Sequence, residues 1–289
     1  MGSFIKLLRI KHWVKNLFIF VAAFFSGEFT LADLQLLFYT FFSFSLVASS
    51  IYVLNDFKDI ENDRLHPKKK SRPMASGAIS PKLGLSVGGL CMLLGFGLAY
   101  FLLPLNVLLI IGLYWIMNVF YSLGLKKVSI LDLVFVAAGF VFRVMSGAEA
   151  VEVQLSFWLL MMTFLFSMFI VLGKRRDDFA EGDENAAQLR SVNKDYNLTF
   201  LNYGILTFSA FMLVCYVMYT FLSPYFADKI YHALLSSALV SVGLLRYLQA
   251  VFVEHKGGNP TDFAYKDRMT QGILFIWLAH FAYLIYLSA

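Results

Sequence analysis

Cysteine is nearly absent: Cys91 and Cys215 are the only two in 289 residues, and both lie inside apolar runs, which leaves buried thiols and no disulfide framework. Charge is scarce as well. Only 15% of residues are charged, 59% are hydrophobic and the mean hydropathy is +0.69, which excludes an ordinary soluble domain. The five histidines include no pair at metal-ligand spacing, so a zinc site is not expected. No low-complexity stretch interrupts the chain. Its basic start and first apolar run are not followed by a small-residue cleavage site, so they read as a retained helix and not as a removed signal.

Apolar sequence is abundant. Crossing a bilayer takes roughly 17 to 25 residues, and runs near that length fall at about 14–27, 34–54, 83–103, 105–122, 130–148, 155–173, 200–222, 231–250 and 271–288. They predict an all-α polytopic membrane protein of about nine transmembrane helices, in one membrane-embedded domain over 1–289. Lys and Arg gather at the cytoplasmic ends of such helices. Of the 24 Lys and Arg, all but Arg143 and Lys229 fall at or before the start of the first run, or in alternate loops and at the run ends that border them, which places the amino terminus and those loops in the cytoplasm. The net charge of +5 follows from this asymmetry and calls for no nucleic acid.

The polar residues concentrate in three long cytoplasmic loops, 55–82, 174–199 and 251–270, expected to cap a site walled by helices. The segment Asn55–Gly77 holds the densest set of acids. If a helix continues through it, Asp56, Asp59 and Asp63 fall at i, i+3 and i+7 on one face, with Asn55 at its edge. Hard oxygen donors crowded on one stripe repel one another unless a cation intervenes, and Mg²⁺ carrying a phosphorylated substrate suits them. Asn55, Asp56, Asp59 and Asp63 are therefore the candidate metal ligands.

Candidate substrate contacts follow from cations and donors at the same membrane face. Lys69 and Arg72 lie in the basic stretch after the acids; Tyr121 and Lys126 close the fourth run and can donate to phosphate oxygens. The second loop opens with Lys174, Arg175 and Arg176, then Asp177 and Asp178. The third supplies Asp262, Asp267 and Arg268 after a Gly-Gly-Asn-Pro turn. Asp132 and Arg143 fall within a membrane run, where charge is costly and faces a partner or cavity. Asp132 is expected near the inner rim, and Arg143 either pairs structurally or reaches headgroups.

Read together, Asn55, Asp56, Asp59, Asp63, Arg72, Pro73 and Gly77 resemble the signature of the UbiA superfamily of intramembrane prenyltransferases, NDxxDxxxD followed by RPxxxG. The resemblance implies a UbiA-like bundle around a central cavity, with Asp-rich loops binding Mg²⁺ and pyrophosphate. Across nearly the whole chain the sequence is most similar to the decaprenyl-phosphate phosphoribosyltransferase branch. The matching pieces are Lys11–Asn16, which brings in Lys15 and Asn16, the stretch from Leu54 to Gly77, the segment from Tyr121, that around Arg143, that from Gly173, and Asp262–Arg268. A prenyltransferase DxxxD is replaced here by Asp177 and Glu181 behind a Lys-Arg-Arg run, which favours the phosphoribosyl branch.

The activity implied is Mg²⁺-dependent transfer of 5-phosphoribose from phosphoribosyl pyrophosphate to a polyprenyl phosphate at the cell membrane, in a role in cell-envelope synthesis. Asp56, Asp59 and Lys126 are assigned to catalysis. Lys15, Asn16, Lys69, Arg72, Tyr121, Lys174, Arg175, Asp177, Asp178, Asp262 and Asp267 are assigned to substrate. The lipid bilayer is the expected surrounding, and a homo-oligomer is compatible with it. Two alternatives stand beside this: an aromatic or lipid-quinone prenyltransferase using a prenyl diphosphate, and a non-catalytic transporter or scaffold.

Overall fold

A computed structural model describes residues 2–27, 30–65, 69–179, 191–254 and 260–287, and among them every regular element is helical. Among the described residues eight helices are long and apolar enough to cross a membrane: α1 Leu31–Lys58, α2 Pro81–Leu102, α3 Leu105–Leu123, α4 Leu131–Ala150, α5 Phe157–Asp178, α6 Leu198–Leu222, α7 Ile230–Phe252 and α8 Arg268–Tyr286. Their starts are written locally. Thr30 and Asp33 form a reciprocal capping box on α1, Ser80 caps α2 with Pro81 at its first position, and Asn197 caps α6. Pro104 separates α2 from α3, as the sequence implied.

The run expected over 14–27 is built differently. A short helix Gly2–Leu7 ends at Arg9, whose φ of 51° is left-handed, and the chain continues as a 3₁₀ segment Ile10–Phe20 and a short α-helix Val21–Ser26. At about 2.0 Å per 3₁₀ residue and 1.5 Å per α residue, the two pieces reach about 30 Å, close to the hydrocarbon thickness. Irregular backbone at membrane depth needs protein around it. Trp13 Nε1 donates to Ser49 Oγ at 3.1 Å and Asn16 Nδ2 to Ser45 Oγ at 2.7 Å, which fastens the segment to α1. On its α4 side, a Cβ on Gly147 would sit 1.8 Å from the Ile19 carbonyl oxygen, so only glycine allows that approach.

By packing the chain divides into two compact units, 1–155 and 156–289. In the first, α1 is the central member, with α2, α3, α4 and the 3₁₀ segment against it. Its core gathers Ile19, Leu37, Phe44, Val47, Val107 and Ile111. At Gly95 the two backbones of α1 and α2 come close: Ser43 Oγ donates to the Gly95 carbonyl at 2.8 Å, and a Cβ there would lie 2.7 Å from Val47 Cγ2. Small residues at the crossing are what helix association in lipid requires, since apolar burial alone supplies no drive there. Leu93, Phe101 and Leu105 stay well exposed on α2 and α3, an outer face suited to acyl chains.

The second unit packs α5 against α6 and α7 against α8. Within it Trp277 Nε1 donates to Tyr216 Oη at 2.7 Å, and that phenol lies 2.5 Å from Ser236 Oγ, a satisfied polar chain among apolar helices.

Candidate active site

The acid-rich segment begins as the last turn of α1 and resumes, after Asp59, as a second helix Ile60–Leu65. Asp59 N–H donates to the Asn55 carbonyl at 3.0 Å and Asp63 N–H to the Asp59 carbonyl at 2.7 Å, so helical pitch survives the junction. The i, i+3, i+7 stripe expected from sequence is therefore present, but its members are sorted into two groups by their cations.

Asp56 and Asp63 form the inner group; they are 2% and 3% exposed. Arg72 Nη1 bridges them, at 3.0 Å from Asp56 Oδ1 and 2.7 Å from Asp63 Oδ2. Asp56 Oδ1 also accepts from Arg9, whose guanidinium lies 4.8 Å over the Tyr52 ring. Arg72 is aimed by its turn. The 3₁₀ turn Lys69–Ser71 leads into it, Ile79 N–H closes on the Pro73 carbonyl at 3.0 Å, and Gly77 takes a φ of +77°.

Asn55 and Asp59 form the outer group. Lys126 Nζ lies 3.0 Å from Asn55 Oδ1, 2.7 Å from Asp59 Oδ1 and 2.6 Å from Asp59 Oδ2. The ammonium is delivered by the 3₁₀ turn Leu125–Lys127, which follows α3 directly. Asp56, Asp59 and Asp63 thus meet Arg9, Arg72 and Lys126, and the cluster is balanced in charge.

Among the described residues no group of three or more His, Cys, Asp or Glu is arranged to hold a metal, because cations stand between the acids. The donor chemistry nonetheless fits a hard divalent ion: carboxylate and amide oxygens confined to two helical turns. Arg72 and Arg9 engage one oxygen of Asp56, and Arg72 one of Asp63, so the opposite oxygens remain to be offered. At Asn55 and Asp59 the ion would have to exchange with an ammonium.

Other expected site residues are placed variously. Lys69 is part-buried in the turn before Arg72, and Tyr121 is part-buried and stacks on Phe135 with centroids 6.0 Å apart. Lys15 is part-buried in the 3₁₀ segment, and Asp132 is fully buried at the start of α4. Asn16 departs from expectation. It is 1% exposed and its amide is committed inside the bundle, where Oδ1 accepts from Arg143 Nε at 2.7 Å and Nδ2 donates to Ser45. Both ends of the amide are thus engaged within the bundle, one of them on the Arg143 guanidinium. Arg143 also donates to the Gly139 carbonyl at 2.5 Å and lies over Phe44, Tyr114 and Phe140, which makes it an internal tie and not a headgroup anchor.

In the second unit, Arg175 is buried and lies 3.7 Å from Asp178, while Lys174 and Asp177 are exposed on the last turn of α5. Arg176 donates to Asn202 Oδ1 at 2.8 Å and lies over Phe252, which fixes the end of α5. Glu181 and the side chain of Asp262 lie outside the described residues. Asp267 caps α8, accepting from Thr270 N–H at 2.9 Å, and pairs with Arg246 at 2.7 Å. That guanidinium, with the Thr270 donors, holds the Asp267 carboxyl well below the usual carboxylate range. Arg246 itself, which also pairs with Glu254, was not singled out in the sequence, and neither was Arg9.

Comparison with known proteins agrees with this architecture. Residues 16–278 match the UbiA prenyltransferase family. The chain is 29% identical over 298 residues to the decaprenyl-phosphate phosphoribosyltransferase of Mycolicibacterium smegmatis, covering 99% of this chain and 93% of that one. It is 30% identical over 281 residues to the protein of the same description from Mycobacterium tuberculosis, covering 95% and 91%. In fold it is similar to a UbiA homologue from Archaeoglobus fulgidus solved with GPP and Mg²⁺, with a TM-score of 0.72 at 17% identity over 98% of this chain and 99% of that one.

Proposed function

This chain belongs to the UbiA prenyltransferase family of membrane transferases, and we propose that its reaction is transfer of 5-phosphoribose from phosphoribosyl pyrophosphate to a polyprenyl phosphate, with release of pyrophosphate. The observation that carries this reading is the pairing of an acidic cluster with three cations at the end of α1, in a chain similar over nearly its full length to two phosphoribosyltransferases. Mg²⁺ held by Asn55, Asp56, Asp59 and Asp63 would supply charge stabilisation for the departing pyrophosphate.

The residues themselves explain why such a reaction is feasible here. Breaking the bond from ribose C1 to pyrophosphate leaves positive charge on the sugar ring, and a lipid phosphate oxygen then forms the new bond to C1. That acceptor is already an anion near neutral pH, so no strong general base is needed. The task is to hold two anions together, and Arg72, Lys69 and Lys126, on turns beside the acids, carry the charge for it. The apolar helices accommodate the isoprenoid tail. The one-sided distribution of Lys and Arg supports an orientation with the acid segment facing the cytoplasm of an inner membrane.

A direct assay separates this from prenyl transfer. Purified protein with Mg²⁺ and phosphoribosyl pyrophosphate labelled in the ribose is expected to label added polyprenyl phosphate. Labelling of an acceptor from a prenyl diphosphate, with none from the ribosyl donor, would overturn it.

A further inference from the structure

The ammonium of Lys126 sits between the side-chain oxygens of Asn55 and Asp59, where a metal would otherwise be offered both. Its contacts to Asn55 Oδ1 and to both oxygens of Asp59 commit it to two of the four residues proposed as metal ligands. From this geometry we infer that Lys126 is an exchangeable counterion: it holds the Asn55 and Asp59 oxygens until a divalent ion arrives, cedes them to it, and then turns its charge to a phosphate oxygen of the substrate. The inference rests on the metal-dependent reading above.

Three features single out Lys126 among the cluster's cations. Arg72 spans two buried carboxylates from a turn closed by its own backbone hydrogen bonds, and Arg9 is pinned against the Tyr52 ring. Their planar forks fit fixed partners. A lysine is a point charge on a flexible four-carbon stem, and both it and Asp59 retain about a fifth of their side-chain surface exposed. Lys126 reaches both oxygens of Asp59, whereas Arg9 and Arg72 leave the second oxygens of Asp56 and Asp63 to be offered, so at Asp59 a divalent ion has to displace the ammonium.

The consequence is opposite in sign to that of an ordinary ligand-binding lysine. Without substrate, Lys126 competes with metal; with substrate, it supports the same complex. Lys126→Met is expected to tighten Mn²⁺ binding to the substrate-free protein by about 10- to 100-fold, the range for losing one charge-assisted contact. The readout is free Mn²⁺ followed by electron paramagnetic resonance, with the protein in nanodiscs. Lys126→Gln, which keeps a polar side chain beside Asn55, gives a gain in the same direction. Lys127→Met removes the same charge from the exposed neighbouring residue and changes affinity by no more than about twofold. Equal or weaker Mn²⁺ binding in both Lys126 variants would overturn the inference, and so would an equal gain in Lys127→Met. This titration uses no organic substrate, so its failure is distinct from a failure of the ribose-labelling assay.

Discussion

Asp59→Asn lowers transfer by about a hundredfold or more, the loss expected when one group that stabilises developing charge is removed. Asp59 is the informative position because the exchange is nearly isosteric and the side chain is part-exposed, with Lys126 as its cation. The substituted amide still offers Lys126 an oxygen, and Asn55 continues to accept from the same ammonium. Folding is therefore expected to change little while the charge at the reacting end is lost. The measurement is kcat/KM for label transfer beside the thermal midpoint in detergent: the first falls by two decades or more and the second hardly moves. A wild-type rate in this variant would contradict the assignment. Asp56→Asn is less clean, since Asp56 is buried and accepts from two guanidiniums that would be left facing one neutral group.

Arg72→Met has the largest expected effect on stability. Asp63 is 3% exposed and Arg72 is its ion-pair partner among the described residues. Truncation strands a buried carboxylate, a change that costs about 3–5 kcal/mol. Asp56 suffers less because Arg9 still reaches it. The cause is separable by a second substitution: Arg72→Met with Asp63→Asn removes the uncompensated charge and recovers most of the thermal midpoint, yet transfer is expected to remain low because the cation and an acid proposed to hold Mg²⁺ are both gone. A double variant as unstable as the single one would mean that Arg72 acts through its turn and not through the ion pair.

Much of this was legible in the sequence, and the exceptions share one cause. The acid stripe could be read because Asp56, Asp59 and Asp63 are a helical repeat apart, and the junction at Asp59 keeps that repeat. Asp267, which the sequence reading gave to substrate, is the N-cap of α8 in the structure. What could not be read is which cation meets which acid. Arg9 is 47 residues from Asp56 and Lys126 is 67 from Asp59, separations that only the bundle's topology closes. Arg9 in particular counted only as one basic residue before a membrane run, and its left-handed backbone at a non-glycine position leaves no sequence mark. The Asn16–Arg143 bond is hidden for the same reason: the two residues are 127 apart, and a buried amide serving a buried guanidinium looks, in sequence, like a polar residue at a membrane edge. The 3₁₀ backbone over Ile10–Phe20 likewise has the composition of any apolar run.

In the proposed reaction a lipid phosphate oxygen forms the new bond to ribose C1 as pyrophosphate leaves. Mass spectrometry of the product made from polyprenyl phosphate carrying ¹⁸O in its phosphate tests it most directly. The expected product is a polyprenyl-phosphoryl-phosphoribose that keeps all of the label, with unlabelled pyrophosphate released. Label appearing in free phosphate or pyrophosphate, or the prenyl chain turning up on another acceptor, would contradict it.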